Sequence, residues 1–138
     1  MIFELWYYKA KLPNSGGTKR RPVLVIGDDG DNGLSIVDIH YCIVSASSQK
    51  GVFDVQIDEE TAKKLGLLKE SIIKTTKIYT GSRHMLERKI SDLSDPLKKE
   101  FCKKYKDYQE KIIQKLDLNN IEDSGAEPES DLFNLCSL

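Results

Sequence analysis

Long hydrophobic runs are missing. No apolar stretch exceeds four residues, VLVI at residues 23–26 among them, where a bilayer span needs about 20. Cysteine is scarce: Cys42, Cys102 and Cys136 are few, odd in number and far apart, with no C-x-x-C spacing to hold zinc. That usage suits a reducing cytoplasm. Histidine occurs twice, as His40 and His84, and these are the side chains that titrate near neutrality. The opening MIFELWYY has an acid and no basic flank, unlike a secretory signal. The expectation is a cytoplasmic protein with no membrane span, no metal and no cofactor.

Basic residues are also absent from one end. All 21 Lys and Arg lie at or before Lys115, while Asp117, Glu122, Asp123, Glu127, Glu129 and Asp131 follow it. Residues 1–116 therefore carry +5 and residues 117–138 carry −6. A chain of 138 residues is the size of one domain. The division is a domain over 1–116 and an acidic, flexible tail over 117–138. A mildly basic body is compatible with an anionic polymer such as nucleic acid, but charge alone favours a solvated tail on an ordinary domain.

What is present reads mainly as β. FELWYYK is aromatic and strand-like, and RPVLVIG is a near-continuous apolar run suited to a central strand, with Pro22 at its first position. The turn-rich GDDGDNG follows. LSIVDIHYCIVSAS then alternates, with Ile36, Asp38, His40 and Cys42 on one face and Val37, Ile39, Tyr41 and Ile43 on the other. GVFDVQID sets Val52, Asp54 and Gln56 opposite Phe53, Val55 and Ile57. Asp58 caps a short helix, EETAKKL, which Gly66 stops. SIIKTTKIYT is a further strand, and RKISDLSD a brief extended stretch. Asp95 and Pro96 open one long helix, whose stripe is Leu97, Phe101, Tyr105, Tyr108, Ile112 and Leu116. Strands in quick succession with one inserted and one terminal helix predict a compact antiparallel β-barrel with helices packed outside.

The order RRPVLVI, YCIVSAS, VQID, GLLKESII, KIYT and LERKISDLSD, ahead of a terminal helix, resembles the MazF/PemK toxins over roughly residues 2–115. The resemblance implies an SH3-like antiparallel barrel (mainly β with helices, α+β), usually a homodimer. It implies a metal-independent endoribonuclease of a type II toxin–antitoxin system that cuts single-stranded RNA. The 2′-hydroxyl attacks its own phosphodiester, leaving a 2′,3′-cyclic phosphate and a 5′-hydroxyl. A cognate antitoxin protein is the implied partner.

Residue by residue, Arg21 matches the family's loop arginine. A guanidinium binds phosphate through two parallel hydrogen bonds and stays charged at any working pH. Ser45 matches a strand-end threonine whose hydroxyl donates to a phosphate oxygen. Arg21 and Ser45 are the expected catalytic pair. Ser15, Lys19, Arg20, Lys74 and Thr76 are the expected RNA contacts, with Lys19, Arg20 and Arg21 delivered by the turn NSGG to the mouth of the strand. The chain also departs from the pattern. Gly16 stands where many members have an acid after the loop serine, and Thr76 where some have a strand carboxylate. Of the two histidines, His84, in a polar loop, is the freer candidate for a substitute base, and a lone histidine is more often structural. The alternative is therefore a catalytically weak or inactive binder of RNA or protein, including a gyrase poison like the CcdB toxins. The acidic tail, ending in Leu132, Phe133 and Leu135, is a candidate to fold back over residues 19–21.

Overall fold

The computed structural model describes residues 1–11, 16–35, 37–46 and 49–118. Ser15 and the fold-back tail lie outside the described residues. Six strands, β1 (Glu4–Lys11), β2 (Thr18–Asp28), β3 (Asp38–Ser45), β4 (Val55–Ile57), β5 (Ser71–Ser82) and β6 (Leu86–Asp92), form one antiparallel sheet in the order β4-β5-β3-β2-β1-β6. Helix α1 (Glu59–Leu65) and helix α2 (Asp95–Leu118) complete it. The sheet curls as the barrel expectation requires, and β2 lies inside it.

β2 is apolar on both faces because each face has its own cluster. Leu24 and Ile26 join Leu5, Cys42, Val44, Ile73 and the α2 residues Leu97, Phe101 and Tyr105 in the main core. Val23 and Val25 join Tyr8 and Ile39 in a second cluster, flanked by Trp6, Tyr41, Met85 and Leu86. The alternation of the sequence around Ile39 and Cys42 is thus realised as two buried faces. The strand begins earlier than the apolar run: Thr18, Lys19, Arg20 and Arg21 already pair with β1. Pro22, with no N–H to give, sits one residue outside the last pair between β2 and β3, Val23↔Ile43.

Two other segments differ from their sequence pattern. The long run LSIVDIHYCIVSAS forms a strand only from Asp38; before it, Leu34 and Val37 are exposed. The preceding loop is a 3₁₀ turn, Asp29–Asn32, closed by a capping box on Asp28, and the Asp29 carboxylate accepts the Asp38 N–H at 3.3 Å. In GVFDVQID only three residues form β4. Val52 is 80% exposed, whereas Asp54 is buried at 5%. Asp54 is turned in because it accepts the Gly51 N–H at 2.8 Å and meets Lys74 of β5.

Local chemistry accounts for α1 as expected. The Asp58 carboxylate accepts the Thr61 N–H at 2.7 Å, and Gly66, at φ 86°, closes the helix in the left-handed conformation that glycine adopts without strain. Helix α2 buries the first half of its stripe, Leu97, Phe101 and Tyr105, while Leu116 is exposed. No described helix is long and apolar enough to cross a membrane. Cys42 is a free, buried thiol.

The second face carries a run of tyrosine rings. Tyr8 and Tyr41 have centroids 4.7 Å apart, and Tyr41 and Tyr79 stack at 5.8 Å. Gly81 makes this possible: a Cβ there would lie 2.2 Å from the Tyr8 hydroxyl and 3.1 Å from the Tyr41 ring. Burial, with Tyr8 alongside, pushes the Tyr41 phenol up from 10.0 to about 12. Burial likewise pushes the Cys42 thiol up from 9.0 to about 12.

Two outcomes follow for stability. Phe101 of α2 is fully buried in the main core, its ring edge-on to Phe3 at 5.9 Å, so Phe101→Ala should cost about 3–5 kcal/mol in chemical denaturation. Tyr41 and Cys42 release protons more readily in the unfolded chain, so stability is independent of them below pH 9 and falls as pH rises from 9.0 towards 12. Urea midpoints measured across that window should decline less steeply in Tyr41→Phe than in wild type. An equal slope in both would show that the phenol is not held back.

Candidate functional site

Strand register decides which of the expected residues meet. Between β2 and β3 the pairs run Val25↔Tyr41, Leu24↔Cys42 and Val23↔Ile43. Continued by two residues, the same register aligns Arg21 with Ser45. Alternation places both on the second face: Arg21 follows Val23 and Val25, and Ser45 follows Ile39 and Tyr41, all of the Tyr8 cluster or packed against it. On its other side Arg21 is paired with Tyr8. Neighbouring strands lie about 4.8 Å apart, so a guanidinium and a hydroxyl on such a row reach one bound phosphate together. Arg21 is exposed, forms no ion pair with any described residue, and Ser45 is half-buried.

The other cations separate by the same alternation. Lys19 shares the face of Arg21 and is exposed. Arg20 takes the opposite face, where its Nε donates to Glu87 at 2.7 Å and its guanidinium lies 5.5 Å from the centre of the Tyr7 ring. Arg88 lies over the same ring at 5.3 Å. The three consecutive bases therefore do not form one patch at a strand mouth: they are strand residues on two faces, and Arg20 is held by an acid.

Lys74 and Thr76 sit beside the Arg21 row through β5. Ser45 pairs with Ile72 and Val44 with Ile73, but Cys42 pairs with Ile78. The four residues 74–77 thus stand opposite Ile43 alone, a large bulge. Lys74, Thr76 and Lys77 of this bulge line, together with residues 49–54, a cavity of about 450 Å³. Lys74 Nζ donates to the Gln49 carbonyl at 3.1 Å and to Asp54 Oδ2 at 3.4 Å. Asp54 was not among the sequence candidates. An acid within an alternating strand reads as solvent-facing, and only the pairing of β4 with β5 reveals its partner 20 residues on.

The two histidines sit apart from the pair. His40 Nδ1 lies 3.0 Å from Thr80 Oγ1. His84 is exposed on the 3₁₀ turn Arg83–Met85, its backbone N–H donating to Ser82 Oγ at 3.2 Å. Among the described residues no three His, Cys, Asp or Glu side chains gather as metal ligands would. Chemically, the arrangement offers charge and hydrogen-bond donation to an anion at Arg21 and Ser45, beside a polar cavity that holds a buried acid and a lysine.

The comparisons agree with this architecture. Solved structures similar to the chain include Mycobacterium tuberculosis toxin MazF-mt6, at 16% identity and a TM-score of 0.58, covering 76% of this chain and 96% of that one. An endoribonuclease in complex with its cognate antitoxin from Mycobacterial species matches at 7% identity and a TM-score of 0.58, covering 80% and 94%. The MazE-MazF complex from Deinococcus radiodurans matches at 16% identity and a TM-score of 0.58, covering 78% and 92%. At such identities the likeness is one of fold. No curated protein sequence matches significantly. The family model for the PemK-like, MazF-like toxin of type II toxin–antitoxin systems matches residues 3–106, so the chain belongs to that toxin family.

Proposed function

We propose that the protein is a metal-independent endoribonuclease toxin that cleaves single-stranded RNA and is held in check by a cognate antitoxin. The observation that carries this reading is the strand parity that gives Arg21 and Ser45 the same face of the curled sheet, each two residues beyond the last β2–β3 pair, Val23↔Ile43. The endoribonuclease similar to it in fold occurs in complex with its cognate antitoxin, which supports the choice of partner. The proposed protein is a cytoplasmic homodimer.

In the proposed reaction the 2′-oxygen attacks the adjacent phosphorus, a new P–O bond forms, and the bond to the 5′-oxygen breaks. The 2′-hydroxyl proton goes to a base, and the leaving 5′-oxygen takes a proton. Negative charge grows on the non-bridging oxygens, where Arg21 and the Ser45 hydroxyl donate. Lys19 guides the strand in through its phosphates. The proton acceptor is not the acid of many relatives, since Gly16 and Thr76 occupy those positions. That substitution favours the second reading, a protein that grips RNA on the same face without cutting it.

Cleavage of a single-stranded RNA in excess EDTA separates the two. Wild type should yield cyclic-phosphate and 5′-hydroxyl ends, and Arg21→Ala should slow this by roughly 10²–10³-fold, the scale of losing one preorganised charge donor. Intact RNA with retained binding would establish the binder instead.

A further inference from the structure

We infer that the exposed second half of α2, with Val52 and Phe53 beside it, is the docking surface for this chain's own acidic segment 119–138. Leu132, Phe133 and Leu135 are its anchors, and they seat here rather than over residues 19–21. The inference stands apart from the RNA reading above.

Helix α2 outruns the core that covers it. Its stripe is buried at Leu97, Phe101 and Tyr105, but Tyr108 and Ile112 are half-buried and Leu116 is 47% exposed. The family model stops at residue 106, so this half of the helix lies outside the matched fold. Apolar residues kept at helical spacing beyond the core mark a face built to be covered. A second apolar wall stands alongside. The Phe53 and Tyr108 rings have centroids 5.4 Å apart, and Lys104 Nζ donates to the Val52 carbonyl at 3.2 Å. The Val52 side chain is 80% exposed, so residues 52 and 53 extend the apolar surface at the near end of the stripe.

Charge and reach select the occupant. The 3.6-residue period sets Lys104, Lys111 and Lys115 along one edge of the stripe and Asp107, Glu110 and Asp117 on the opposite face. Lys111 Nζ lies 5.5 Å from the centre of the Phe53 ring, which turns the lysine edge towards Val52 and Phe53. An apolar strip with a cationic margin fits a segment that is first acidic and then apolar. Residues 119–138 carry Glu122, Asp123, Glu127, Glu129 and Asp131 with no Lys or Arg, followed by Leu132, Phe133 and Leu135. Leu132 is 14 residues past Leu118, and a chain of that length reaches about 20 Å. Ile112 lies only about 9 Å back along the helix axis. Tethering holds the anchors at an effective concentration on the order of mM, where a few apolar contacts and exposed charge pairs suffice.

The test is nuclear Overhauser contact, in the full chain at low salt, between the Phe133 ring and the methyl groups of Ile112, Leu116 and Val52. A mixture of labelled and unlabelled protein separates contacts within one chain from contacts between copies. Contacts within one chain are expected, with chymotryptic cleavage after Phe133 roughly 10-fold slower in wild type than in Leu116→Asp or Val52→Asp. Both substitutions fall at exposed positions, so both variants should melt like wild type. Added salt should speed the wild-type cleavage as it screens the lysine edge. A Phe133 ring without contacts, cleaved equally fast in all three proteins, overturns the inference. Contacts found only between copies give the face to a second chain and overturn it as well.

Discussion

The structure depends on β2 being buried on both of its faces. A strand covered on one side only needs alternating apolar residues, but residues 23–26 are apolar throughout and are all buried. This demands two separate layers: α2 with the inner sheet residues on one side, and the tyrosine-lined cluster on the other. Once both layers exist, every residue of β2 is assigned to a face by parity. The polar N-terminal half of the same strand inherits that assignment, so Arg21 and Lys19 go one way and Arg20 the other.

Register then turns one buried strand into a site. The ladder from β2 to β3 ends at Val23↔Ile43, beyond which parity keeps Arg21 and Ser45 on one face, and the ladder from β3 to β5 pairs Ser45 with Ile72, shortly before the bulge of residues 74–77. Bulges re-aim side chains at functional edges, and this one opens the space into which Asp54 and Lys74 project. On the far face the cations are neutralised or stacked, Arg20 on Glu87 and Tyr7, Arg88 on Tyr7. The asymmetry leaves the exposed Lys19 and Arg21, which form no ion pair among the described residues, on the side that holds the Ser45 hydroxyl.

Much of this was legible in the sequence where the determinants are local. The cap at Asp58, the stop at Gly66, the apolar density of β2 and the parity around Ile39 and Cys42 each depend on neighbouring residues, and each was realised. Arg21 and Ser45 rest on the order of motifs, and their roles stay with the proposed function. What was not legible depends on pairing over distance. Glu87 reaches Arg20 across 67 residues, and no local pattern marks it. Asp54 looked like a solvent-facing acid because alternation assumes a longer strand than the three residues that form. The bulge in β5 is set by two ladders at once, so SIIKTTKIYT alone gave no sign of it. Ser15 lies outside the described residues, and its role stays with the resemblance.

The central claim is that RNA lies along one face of the sheet, over Arg21 and Ser45. Backbone amide shifts on titrating an uncleavable single-stranded RNA measure this directly. The account predicts shifts at Lys19, Arg21, Ser45, Lys74 and Asp54, with Tyr7, Arg88 and Glu87 unmoved. Shifts centred on Tyr7, Arg20 and Arg88 instead would place the RNA on the opposite face and contradict it.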